Sequence, residues 1–151
     1  SILPDIRRIG FMADSVRIPT TTVSLITLNI TFNSGLDENG NPIVNRNYIN
    51  NIYKSAAAGA QKDLLVFSNR QNVSADLMGF RAAAVIEGCE THTRTGFVNL
   101  PASLFEQQGM KNATEMNMPV THAKIFGWYD NEFGSYVNML SRLAAYVDSK
   151  L

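Results

Sequence analysis

Three consecutive side chains offer three different chemistries: the Tyr129 hydroxyl, the Asp130 carboxylate and the Asn131 amide. They stand where a short apolar run, Ile125, Phe126 and Trp128, gives way to Phe133, Val137, Leu140, Ala144 and Val147 at helical spacing. That order predicts a strand running into a helix with one buried stripe. Such junctions are where α/β proteins often place polar groups for ligands. Asp130 or Asn131 can cap the helix, and Glu132 in the first turn suits its dipole. Asn131 is therefore open to two readings, a cap or an amide with one acceptor and two donors for a ligand. Tyr129 either lines a cleft or is a packed tyrosine with a satisfied hydroxyl.

Arg17 follows a predicted strand and precedes Pro19. Read from residues alone, an arginine at a strand end is a surface or ion-paired group. Its planar guanidinium could equally hold an oxyanion through two parallel charge-assisted hydrogen bonds. The remaining candidates carry less. Cys89 lies beside Gly88 and between Glu87 and Glu90, where negative charge disfavours a thiolate. His92 has no partner at metal spacing and His122 stands alone, so no metal site is expected. Nothing in the sequence pairs Glu87 with Glu90 for acid–base work.

The elements that must position these groups follow from periodicity. Phe11–Ile18 reads as a strand ended by Pro19. Val23–Phe32 is the clearest strand, with Ile26, Leu28, Ile30 and Phe32 alternating with polar residues, one face buried and one polar. Asn33–Pro42 is dense in Asn, Asp and Gly and reads as an exposed loop. Asn45–Ala60 is helical, with Ile49, Ile52, Tyr53, Ala56 and Ala60 on one side and Gly59 near its end. Leu64–Ser68, Ala82–Glu87, Gly96–Leu100 and 124–129 read as further strands. Pro101–Pro119 has no clean period and is expected to be loop or short helix. Ser1–Arg8 is expected to end a helix begun upstream. This order argues for an α+β fold, a mixed and largely antiparallel sheet with helices packed on one face.

The 151 residues suffice for one core but not two ordinary domains. Formal net charge is zero and the basic residues are scattered, which argues against sequence-independent nucleic-acid binding. Apolar runs are too short to cross a bilayer. A single cysteine rules out an internal disulfide and fits a reducing, cytoplasmic setting.

Three segments carry a family resemblance. Trp128-Tyr129-Asp130-Asn131-Glu132-Phe133-Gly134 resembles the W-Y-D-N-E-W-G segment of glyceraldehyde-3-phosphate dehydrogenases. Val16-Arg17-Ile18-Pro19-Thr20-Thr21-Thr22-Val23-Ser24 is similar to the family's R-V-P-T-x-x-V-S strand, and Val73-Ser74-Ala75-Asp76-Leu77 to its V-S-x-D-F segment. The matches keep the family's order and span most of the chain. The resemblance implies that residues 1–151 are the C-terminal part of a catalytic domain, with Arg17 binding substrate phosphate, Asn131 holding the nicotinamide carboxamide and Tyr129 lining the active site. It implies NAD or NADP as cofactor, bound mainly by a separate N-terminal nucleotide-binding domain. It further implies a phosphorylated aldehyde substrate, glyceraldehyde 3-phosphate or erythrose 4-phosphate, and a homotetramer in which the sheet's outer face packs on neighbouring subunits.

The family's Gly-rich turn, its S-C-T-T-N nucleophile and its histidine base have no counterpart here, and the chain starts with Ser. This stretch is therefore expected to hold no catalytic nucleophile or base and to be inactive alone. Residues 33–43 and 99–122 are longer than the family pattern and are expected to be surface insertions. Phe133 stands where many members have Trp, and Ser135-Tyr136 inverts the usual order. A second reading is a non-catalytic interaction or assembly domain derived from the same fold.

Overall fold

The computed structural model describes residues 9–110, 112 and 114–151, so the expected helix end at Ser1–Arg8 lies outside the described residues. Five strands and three helices follow one another along the chain: β1 (Ser24–Asn33), α1 (Arg46–Ala58), β2 (Leu65–Ser68), β3 (Ala84–Glu87), β4 (His92–Leu100), α2 (Ala102–Gln107), β5 (Met116–Tyr129) and α3 (Ser135–Asp148). Short 3₁₀ turns at Ser74–Leu77 and Gly88–Glu90 flank β3.

The 14-residue β5 is the spine of the sheet. β1 runs antiparallel along one edge, from Ser24 opposite Tyr129 to Asn33 opposite Val120. The other edge is shared: β3 pairs near Trp128, and β4 pairs from His92 opposite Lys124 to Leu100 opposite Met116. β2 joins β3 in parallel. The sheet is mixed and mostly antiparallel, as the sequence predicts, and the fold is α+β.

Side-chain alternation divides the sheet into two faces. Ala123 and Ile125 of β5 meet Ile86 and Ile49 in one buried cluster, with Ile30, Phe32, Tyr53 and Phe67 packed around it. α1 covers this face because Ile49 and Tyr53 fall on one side of it at i, i+4 spacing. Asn45 starts α1 by accepting from the Tyr48 N–H at 3.0 Å. On the opposite face, Val23, Leu77 and Val85 form a smaller cluster against Val66 and Trp128.

Several expectations need correction. Phe11–Ile18 forms no strand; it is exposed and pairs with no strand of the sheet, so its backbone groups have no ladder to complete. Ile26 and Leu28 are exposed rather than buried, since α1 reaches only the Ile30–Phe32 end of β1. The β4 strand begins at His92, and β5 begins at Met116 rather than 124. Much of the 99–122 stretch is thus a continuation of the β4–β5 ladder with α2 at its tip. Pro119 sits inside β5 and still accepts from the Ser34 N–H through its carbonyl at 3.3 Å. The stripe on α3 is not buried: Phe133, Val137, Leu140 and Val147 are all exposed.

Candidate functional site

Asp130, at the end of β5, is 1 % exposed and organises the junction. One carboxylate oxygen accepts from the Glu132 N–H at 2.9 Å, the Phe133 N–H at 3.1 Å and the Thr22 hydroxyl at 3.3 Å. The other accepts from the Gly79 N–H at 2.7 Å. Its own N–H donates to the Ser135 Oγ at 3.0 Å, and its carbonyl accepts from the Tyr136 N–H at 2.9 Å. One side chain thereby ties together the segment before β1, the loop before β3 and the start of α3. Burial by itself would raise the Asp130 pKa; the Gly79, Glu132 and Phe133 N–H groups and the Thr22 hydroxyl outweigh it and hold the carboxyl below its usual range.

Neither Asp130 nor Asn131 caps α3, whose N-cap is Gly134 with no side-chain bond; Asp130 instead closes the turn ahead of the helix through the Glu132 and Phe133 N–H groups. Because the helix begins only at Ser135, Glu132 lies ahead of its first turn. Asn131 instead is exposed and donates from Nδ2 to the Ser24 Oγ at 3.1 Å. That single bond leaves its carbonyl oxygen and second N–H for an incoming group. The set fits a ligand carboxamide, which needs one donor and one acceptor. Tyr129 is half-buried and lies opposite Ser24 in the β1–β5 register. Tyr129 and Asn131 are thus brought together around Ser24.

Val23, between Thr22 and Ser24, has φ of 71°. A β-branched residue there carries backbone strain of about 1–3 kcal/mol. The strain is held where Thr22 bonds Asp130 and Ser24 bonds Asn131. Nothing in the Val-Ser sequence announces it.

Gly134 explains how the loop reaches the helix. A Cβ there would overlap the Phe80 carbonyl oxygen and the Gly79–Phe80 peptide, so only glycine permits this backbone approach. The Ser135 hydroxyl donates to the Phe80 carbonyl at 3.3 Å and the Asn138 amide to the Arg81 carbonyl at 2.8 Å. A shallow open groove of about 490 Å³ runs beside this contact, bordered by Arg81, Phe133, Val137 and Asn138.

Arg17 lies on the exposed segment before β1 and, among the described residues, makes no hydrogen bond or ion pair. Cys89 is partly exposed, and burial first, then the Glu87 and Glu90 carboxylates, push its thiol up. The direction agrees with the expectation that its acidic neighbours disfavour a thiolate. Glu87 is a buried polar residue that the sequence did not single out; it accepts from the Trp128 indole N–H at 2.6 Å and the Asn72 N–H at 2.5 Å. Its role is to lock β3, β5 and the loop after β2. Among the described residues no group of three His, Cys, Asp or Glu could hold a metal ion, and no helix is long and apolar enough to cross a membrane.

No protein-family model matches the chain. Individual relatives do. Over 149 residues it is 31% identical to glyceraldehyde-3-phosphate dehydrogenase 1 of Bacillus cereus, and 28% identical to the protein of that name from Bacillus subtilis. It is also 28% identical over 151 residues to glyceraldehyde-3-phosphate dehydrogenase 1 of Streptomyces avermitilis. Each match takes in 99% of this chain and 34% of the relative, so the chain spans about a third of the length of the curated relatives it matches. The relatives so matched are named as oxidoreductases, and the α+β fold is the one expected from the resemblance. More particularly, the chain is similar along nearly its whole length to about a third of each of these glyceraldehyde-3-phosphate dehydrogenases, and the resemblance read from its three segments is borne out.

Proposed function

We propose that this chain is the C-terminal part of the catalytic domain of an NAD(P)-dependent oxidoreductase that converts glyceraldehyde 3-phosphate and phosphate to 1,3-bisphosphoglycerate. The observation that carries the reading is Asn131, an exposed amide steadied by Ser24 on a turn locked by Asp130. A rigid amide of this kind can pair with a nicotinamide carboxamide and decide which ring face meets the substrate. The cofactor, held mainly by the protein's nucleotide-binding domain, supplies the hydride acceptor. Tyr129 lines the same cleft, and Arg17 binds the substrate phosphate. The nucleophile and base come from outside these 151 residues, so the chain by itself is inactive. The whole protein assembles as a tetramer and works in the cytoplasm.

The test is Asn131→Asp in the full-length enzyme, assayed for NADH or NADPH formation with aldehyde and phosphate. The substitution keeps the size of the side chain and removes its donors. It is expected to raise the cofactor KM roughly ten- to a hundredfold, the worth of one to two hydrogen bonds. Wild-type cofactor kinetics would leave Asn131 as a structural amide and favour the assembly-domain reading. That second reading draws on the exposed apolar residues of α3, which a scaffold would also present to a partner.

A further inference from the structure

We propose that Ser24 is a specificity-determining positioning residue. It turns the Asn131 amide so that the site takes a cofactor ring bearing a carboxamide and discriminates against one bearing a carboxylate. This deepens the proposed cofactor role of Asn131 and rests on it.

An amide at the tip of a turn is by itself a poor selector. Rotation about its side-chain torsions lets it offer donors alone, an acceptor alone or one of each. Asn131 is not left free in this way. Its Nδ2 donates to the Ser24 Oγ at 3.1 Å, a contact made across 107 residues of chain. Both ends of that bond hang on one buried carboxylate. Asp130 directly precedes Asn131, and its Oδ1 accepts from the Thr22 hydroxyl at 3.3 Å. Val23 alone separates Thr22 from Ser24. A closed ring results, running from Asp130 through Thr22, Val23, Ser24 and Asn131 back to Asp130.

Thr22, Val23 and Asp130 of this ring are buried. The bonds from the Gly79, Glu132 and Phe133 N–H groups to Asp130 anchor it to the rest of the chain. Further protein packed on the chain adds to that burial and does not remove it. Val23 has φ of 71°. Strain at a β-branched residue persists only where the surroundings over-determine the backbone, and here it falls inside the ring.

The consequence is chemical. With one Nδ2–H taken by Ser24, the amide keeps its other N–H and its Oδ1, one donor beside one acceptor. A carboxamide matches both at once, its carbonyl on the N–H and its amino group on Oδ1. A carboxylate has no donor. One of its oxygens would face Oδ1, lone pair against lone pair, and give up a hydrogen bond made with water. Without Ser24 the amide can rotate to offer both N–H groups, and the carboxylate is then tolerated.

The test compares the nicotinamide cofactor with its nicotinate analogue in the full-length enzyme, reading the ratio of their kcat/KM values. A folding defect lowers both values together and leaves the ratio alone. The wild type is expected to favour the carboxamide form roughly ten- to a hundredfold, the worth of a hydrogen bond to a charged group. Ser24→Ala is expected to cut that ratio roughly three- to tenfold, the worth of one neutral hydrogen bond. Ser24→Thr, which keeps the hydroxyl, should retain it. In an Asn131→Ala background, Ser24→Ala should change the ratio no further, because the two residues act through one contact. A wild-type ratio in Asn131→Ala would remove the cofactor role of Asn131 and this inference together. A ratio lowered by Asn131→Ala but untouched by Ser24→Ala, or additive losses in the double variant, would overturn the role of Ser24 and leave that of Asn131 standing. A wild-type preference for the nicotinate form would overturn it too, since the amide would then turn both N–H groups toward the ligand.

Discussion

At the scale of single residues, Asp130 joins three segments that are distant in sequence, and its worth follows from burial. Four donors converge on a carboxylate with almost no access to water, so removing its charge weakens all four bonds together. Asp130→Asn is expected to cost roughly 2–3 kcal/mol, the range for hydrogen bonds to a charged group. The local readout is amide exchange at Gly79, Glu132 and Phe133, whose protection should fall while that of the central β5 amides holds. The pH dependence has a definite sign. The folded pKa is depressed, so the stabilisation is complete above the unfolded carboxylate range and is lost as pH falls through the folded value. Asp130→Asn should flatten that acid limb. Arg17 acts, on the proposed reading, on substrate rather than on stability. Arg17→Lys in the full-length enzyme is expected to cost roughly 1.5–3 kcal/mol of phosphate binding, because an ammonium cannot make the bidentate contact. An unchanged KM for the phosphorylated aldehyde would remove Arg17 from the site.

At the scale of elements, the turn between β5 and α3 depends on the absence of a side chain. Gly134 lets the Gly79–Phe80 backbone press against it, and the Ser135 and Asn138 bonds then fasten the loop to the helix. Gly134→Ala is expected to destabilise this docking by roughly 1–3 kcal/mol, as overpacking does. Exchange at residues 79–81 should rise and the first turn of α3 should loosen, with α1 unaffected. The β4–β5 arm shows the opposite case, an element the sequence conceals. Its ladder runs through Met116, Asn117, Met118 and Pro119, which alternate poorly, and is held by main-chain pairing to β4 along its full length. Backbone hydrogen bonds do not need a hydrophobic pattern, which is why periodicity finds only the Gly96–Leu100 half of the hairpin and places the start of β5 late.

At the scale of the whole chain, apolar side chains on α3 face solvent: Leu140 and Leu143 are each 57% exposed and Val147 is 50% exposed. A stripe at helical spacing that finds no cover among the described residues is suited to meet more protein. Leu140→Ser with Leu143→Ser should therefore act differently in two settings. In the 151-residue chain it is expected to shift stability by no more than about 0.5 kcal/mol, the surface-substitution range. In the full-length protein it is expected to cost roughly 1.5–3 kcal/mol per side chain, the worth of a buried leucine. Equal, small losses by thermal denaturation in both would show that α3 stays bare.

What the sequence determined by itself is what depends on neighbours along the chain. The alternation of Ile26 to Phe32, the helical spacing of Ile49 and Tyr53, and the strand-to-helix change at Tyr129-Asp130-Asn131 are local signals, and each element they predict is present. The family resemblance was equally local, carried by short ordered segments. Only the tertiary structure decided which apolar stripes are buried, because burial depends on what lies opposite: α1 reaches Ile30 but not Ile26, and among the described residues nothing covers the apolar stripe of α3. It also moved the start of α3 past both candidate caps to Gly134, made Asp130 a junction by bringing Thr22 and Gly79 to its carboxylate, and gave Asn131 Ser24 as its partner. Those contacts span from 51 to 108 residues along the chain. No window of sequence is that wide, and the free energy that selects among such long-range pairings belongs to the packed whole.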